Sequence, residues 1–150
     1  MNYEKFLKDN LIKKEKPDFR QITSQLKRAQ KDLKTAEANL PIDLPWTFAI
    51  AYHGMIRASR ALIYSMGYLP TANKSHKTII ELTKMILGDK YGSLIGRFSR
   101  MRRRRHGFIY DSKNHITPHE AKEAIETANG LIGEIIALVK KENPEADLFQ

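Results

Sequence analysis

The sequence predicts an all-α protein, an up-and-down bundle of four to six helices built as one domain over residues 1–150. Three observations lead there. Long segments carry apolar residues at steps of three and four, and none shows the convincing alternation expected of a half-buried strand. Each segment is bounded by start and stop signals of the kind that begin and end helices. A chain of 150 residues, 41% of them hydrophobic, is long enough to bury one core, and neither a repeat nor a composition shift divides it.

The elements follow in order. Tyr3, Phe6, Leu7, Leu11 and Ile12 predict a short amphipathic helix over about 3–14, ended by Pro17. Phe19, Ile22, Leu26, Ala29, Leu33, Ala36 and Leu40 form a helical stripe between Asp18 and Pro41, and this segment opens a core expected to span about 19–139. A third helix runs from about Leu44 to Met66, with Asp43 as cap, Pro45 in the first turn, and Gly67 and Pro70 beyond its end. It is apolar on most sides, from Trp46 and Phe48 through Tyr52 to Ile63, so it is expected to be the central helix. Residues 71–77 read as a polar loop in which Ser75 can cap a helix carrying Ile79, Ile80, Leu82, Met85 and Ile86. An arginine-rich helix is expected from about Lys90 to Ser112. Thr117, Pro118 and Glu120 spell a capping box with proline at the first position, opening a last helix that Asn143 and Pro144 end.

The net charge of +9 favours an acidic partner such as nucleic acid, nucleotide, acidic protein or an anionic surface. The absence of cysteine excludes disulfides, thiolate catalysis and cysteine-ligated zinc. Met1 to Lys16 is polar and mixed in charge, unlike a secretory leader. The longest apolar stretch, Leu44 to Ile56, falls short of the roughly 20 residues a membrane span requires. A cytoplasmic protein that does not enter the membrane is the expectation.

Chemistry concentrates in Arg97 to Tyr110, RFSRMRRRRHGFIY, where arginine is interleaved with Phe98, Met101, Phe108 and Ile109. At roughly 100° per residue, Arg105 falls about 20° from Phe98 and Arg102 about 40° from it, both on the apolar face. Arg97, Arg100, Arg103 and Arg104 point elsewhere, with Arg104 expected on the outer face. A buried arginine charge left unpaired is very costly. Arg105 therefore snorkels, pairs with a core carboxylate, escapes through a helix break at Gly107, or is held in a cleft or dimer seam to meet a phosphate. On the third helix His53, Arg57 and Arg60 form a spaced polar stripe, in which His53 is either a hydrogen-bonded core histidine or a site residue.

Several chemistries lack their motifs. The chain has no GxxxxGK[ST] or GxGxxG loop and no HExxH pair. His115 and His119 are separated by Pro118 and a loop, so no metal site and no cofactor is expected.

The segments KRAQKDLKTAEANL, FAIAYHGMIRASRALIYSMGYLP, IIELTKMIL and RMRRRRHGFIYD together resemble the HEPN superfamily over roughly residues 19–139. The family signature is an arginine, often a polar residue, and a histidine after four intervening positions, frequently extended to a tyrosine. Arg105 matches the arginine and His106 the polar position, whereas Tyr110 stands where the family has histidine and Ser112 where it has tyrosine. A second register pairs Arg100 with His106 across five residues; the first keeps histidine in the polar slot and is preferred. The resemblance implies a helical bundle that dimerises and brings two motifs into one cleft. It implies a metal-independent ribonuclease of a toxin–antitoxin or defence system, a partner of a nucleotidyltransferase-type antitoxin, or a member without activity.

On this reading Arg105, His106 and Tyr110 are the candidate catalytic residues, and Arg100, Arg102 and Arg103 the candidate phosphate contacts. His53, Arg57 and Arg60 are secondary candidates. Tyrosine, with an ordinary pKa of about 10, orients a phosphate better than it moves a proton at neutral pH. The expected function is therefore binding of RNA or nucleotide phosphate, or docking of a nucleotidyltransferase, by a homodimer, with ribonuclease activity the alternative. A helical structural or interaction protein whose arginines only form a surface is the further alternative.

Overall fold

A computed structural model describes residues 2–110 and 115–145, with the side chains of residues 108–110 outside the description. Six α-helices dominate: α1 (Glu4–Lys8), α2 (Phe19–Asn39), α3 (Leu44–Ser65), α4 (Ser75–Leu87), α5 (Gly92–Tyr110) and α6 (Pro118–Glu142). Two short strands, β1 (Ile12–Lys14) and β2 (Tyr68–Pro70), pair antiparallel, with Ile12 opposite Pro70 and Lys14 opposite Tyr68.

The expected caps hold the helices. The Asp18 carboxylate accepts from the Arg20 and Gln21 amides at 3.0 and 3.4 Å, and Asp43 accepts from the Trp46 amide at 3.0 Å. At α6 both halves of the capping box form: Glu120 N–H donates to Thr117 Oγ1 at 3.1 Å, and Thr117 N–H to Glu120 Oε1 at 3.2 Å. α4 differs from expectation. It begins at Ser75 itself, after Lys74 in the left-handed region (φ 49°), and no side chain caps it.

The N-terminal segment is a correction. The helix expected over 3–14 stops at Lys8, because Asn10 turns left-handed (φ 55°) and sends the chain into β1. Leu11 and Ile12 fit a helical stripe, but Ile12 is buried as a strand residue. Tyr3 stacks on Tyr68 with ring centroids 4.2 Å apart. Period alone cannot separate a short apolar helix from a strand.

α3 lies at the centre, against α2, α6, α4 and α5. Its crossing with α2 and α6 is close at Gly54, where a Cβ would sit 3.3 Å from Asp32 Cβ and 3.4 Å from Ile132 Cδ1. Trp46, grouped with the apolar run of α3, is instead 57% exposed, and Ile42 beside it 78%. α5 contributes Ile95, Phe98 and Met101 to the core and stays helical through Gly107, so its helical phase is kept across the arginine run. It starts at Gly92, after a 3-10 turn over Asp89–Tyr91, two residues later than expected. Asp111 and Ser112 lie outside the described residues. No helix among the described residues is long and apolar enough to cross a membrane.

Candidate functional site

The arginines of α5 divide between two faces because the helix is straight in phase and flanked by different neighbours. Phe98 packs in the core edge-to-face with Tyr52 of α3, centroids 5.9 Å apart. Two turns on, Arg105 returns to the same side and lays its guanidinium over the Tyr52 ring, 5.4 Å from the ring centroid. Its Nη2 lies 3.4 Å from His53 Nε2, and its Nε is buried without a partner. No carboxylate pairs with Arg105 among the described residues. Among the described residues, then, Arg105 has no core carboxylate to pair with, and α5 stays helical through Gly107 rather than breaking there.

α4 completes the cluster. His76, in its first turn, places Nδ1 3.0 Å from the Tyr52 hydroxyl. Burial pushes the Tyr52 phenol up to about 12 against the pull of Arg105 and Arg102, so it stays protonated at neutral pH and can donate to a neutral His76. Burial, and then the Arg105 charge, holds both His53 and His76 below the ordinary histidine range. His53 nonetheless keeps an exposed edge. A neutral His53 that accepts from Arg105 at Nε2 carries its proton on Nδ1. Arg102 and Arg60 add positive charge felt by His76. The result is a protonated phenol, two histidines held below their ordinary range by burial and then by a cation, and a guanidinium that among the described residues meets aromatic and imidazole groups.

The expected phosphate contacts do not converge. Arg102 joins Arg105, whereas Arg100 and Arg103 face away, into a groove of about 540 Å³ between α5 and α6. Arg104 is the clearest correction: it is half-buried rather than outward, because α6 begins beside it. Its Nε donates to Glu120 Oε2 at 2.8 Å, and its Nη2 bonds the His115 carbonyl. That hydrogen bond, first of all, holds the Glu120 carboxyl below its usual range. Arg57 is likewise structural. It donates to Asp32 at 2.9 Å and Gln25 at 2.9 Å, fastening α3 to α2. Arg60 is exposed at a shallow cleft with Gln21 and Tyr64. His106 is exposed on the adjoining position of α5, and the Tyr110 side chain lies outside the described residues.

Two members of the cluster escaped the sequence reading. Tyr52 reads as part of the core stripe, where it belongs by burial, and its hydroxyl carries no separate signal. His76 sits in a segment read as polar loop, TANKSHK. The demand of a seam arginine for a polar or aromatic neighbour in the same layer was the available clue.

Among the described residues no group of three or more histidines and acids could hold a metal ion. No curated protein and no solved structure matches the chain. A model of the HEPN domain matches residues 22–141, from the first turns of α2 to the end of α6, which is most of the chain; with the all-helical bundle it places this protein in the HEPN family.

Proposed function

We propose that this HEPN domain binds RNA or nucleotide phosphate at the Arg105 cluster. The observation that carries the reading is Arg105 itself: half-buried, seated on Tyr52 and His53, and matched by no carboxylate among the described residues. A guanidinium in that setting has a planar fork available for phosphate oxygens, and a phosphate would satisfy donors that the fold leaves to aromatic and imidazole groups. Arg102 supplies a second cation, and His53 and His76 supply neutral ring nitrogens able to bond a ribose hydroxyl or a phosphate. The reading includes a homodimer, as the family resemblance implies, and a nucleotidyltransferase-type partner. The test is binding of a labelled single-stranded RNA over a salt series. Wild type should bind with an affinity that falls steeply with salt, and Arg105→Ala should lose most of it while keeping its helical spectrum. Unchanged binding by that variant sinks the site.

A second reading is favoured by the two histidines. Cleavage of RNA without a metal needs a base for the 2′-hydroxyl, an acid for the leaving oxygen and a cation on the phosphorane. Tyr110 in the position of the family histidine is a poor proton carrier, but His53 and His76 flank the arginine from α3 and α4. Incubation of RNA in excess EDTA separates the readings. Cyclic-phosphate ends made by wild type, and absent with His53→Ala or His76→Ala, mean a ribonuclease. Binding with no cleavage means an adaptor.

A further inference from the structure

The groove between α5 and α6 is separate from the Arg105 cluster and is built differently. Its floor is apolar and small: Phe48 from α3, Met101 from α5, and Ala124 and Thr127 from α6. One wall is a row of arginines at steps of three, Arg97, Arg100 and Arg103, all on the face of α5 turned from Tyr52. Neither Arg97 nor Arg100 has a carboxylate partner among the described residues, and Arg103 bonds only the Ser99 hydroxyl, at 3.2 Å. The opposite wall is α6, where Glu120 is committed to Arg104 and Glu123 pairs with His119 at 3.3 Å.

We infer that this groove docks an acidic amphipathic helix of a partner protein. Three features select that occupant. The arginine row is rooted along about 9 Å of α5, so it matches an extended row of anionic groups better than a single phosphate or carboxylate. Acidic side chains three or four apart on a helix repeat with the same spacing. The two walls carry opposite charge. A helix can turn an acidic edge to α5 and a neutral or basic edge to Glu123, whereas a nucleic-acid strand would bring phosphates against Glu120 and Glu123 on the α6 wall. The floor suits a helix as well, because Ala124 and Thr127 allow close approach of a backbone, and Met101 adapts its shape to an apolar anchor. The surface does not depend on phosphate binding at Arg105.

The test uses two synthetic peptides of equal length and identical leucine face, one with a glutamate edge and one with a lysine edge, each added to isotope-labelled full-length protein. The glutamate peptide should shift the amide signals of Met101, Ala124 and Thr127 saturably below about 1 mM, and the lysine peptide should not. Arg97→Glu with Arg100→Glu should weaken binding at least about tenfold, more than the charge-matched Lys31→Glu with Lys34→Glu on the exposed face of α2. Arg105→Ala should leave it intact, which keeps this outcome independent of the phosphate reading. No saturable shift, shifts centred on His53 and His76, or equal losses in the two double variants would overturn the proposal.

Discussion

The two faces of α5 use one residue type for different ends. On the face toward α3 and α4, Arg105 rests on Tyr52 and His53 with no carboxylate partner among the described residues. On the face toward α6, Arg104 has its acid, Glu120, and three neighbouring arginines border an open groove. The positions are adjacent in sequence and the intrinsic chemistry is identical. What differs is the element across the gap: a buried phenol and two imidazoles on one side, a capped helix start bearing glutamates on the other. An arginine's role is set by what the bundle places opposite it.

The largest test of this division is mechanical. Phe98 is fully buried and fixes the phase of α5 against Tyr52. Phe98→Ala should cost about 3–5 kcal/mol in urea unfolding. Arg103→Ala, exposed on the groove side, should stay within about 0.5 kcal/mol of wild type. Similar losses at both would mean that α5 is not oriented by its apolar seam.

Next in size is ligand affinity. Arg105→Ala should lower RNA affinity about tenfold or more, the worth of a charge-assisted hydrogen bond of roughly 1.5–3 kcal/mol. Arg100→Ala should act only through net charge, lowering affinity by less than about threefold at physiological salt. Anisotropy titrations of the two variants at one ionic strength decide it, and equal losses erase the distinction between the faces.

Much of this architecture was legible in the residues. Asp18, Asp43 and the Thr117–Glu120 box state where helices start, because short polar side chains satisfy the free amides of a first turn. The apolar phase of α5 placed Arg105 and Arg102 on the inner side. Illegible parts depended on contacts between distant segments. Nothing near Arg104 announces Glu120, sixteen residues on, so an outward face was the natural expectation. Nothing near His76 announces Tyr52, which reads as core on its own helix. Residues 12–14 become a strand only because residues 68–70 lie beside them.

A smaller effect tests the face toward α6. Arg104→Ala should cost about 1 kcal/mol, since the pair is partly exposed yet also holds the His115 carbonyl at the start of α6. Its pH dependence has a definite sign. The folded state depresses the Glu120 carboxyl, so the pair's stabilisation is present above the ordinary glutamate range and is lost as pH falls through the lowered value. Wild type and Arg104→Ala should therefore converge in stability in acid and separate near neutrality. A gap that persists unchanged in acid would mean the arginine acts through packing alone.

The smallest effect compares the faces electrostatically. His53 and His76 are held below the ordinary histidine range by burial first and Arg105 second. The unfolded chain takes up these protons near pH 6.5 while the fold does not, so stability declines as pH drops from there through the lowered folded values and falls no further below them. Binding of a phosphodiester, whose own charge is constant in this window, should raise both values and become tighter as pH falls. Removing the arginine charge in Arg105→Ala should move both histidines part of the way back, leaving the share due to burial. Arg104→Ala should leave them in place, because its charge is already met by Glu120 and faces α6. Imidazole proton titrations of the two variants read this directly. If Arg104→Ala moves them as far as Arg105→Ala does, the helix presents one pooled charge and the two faces are not distinct sites.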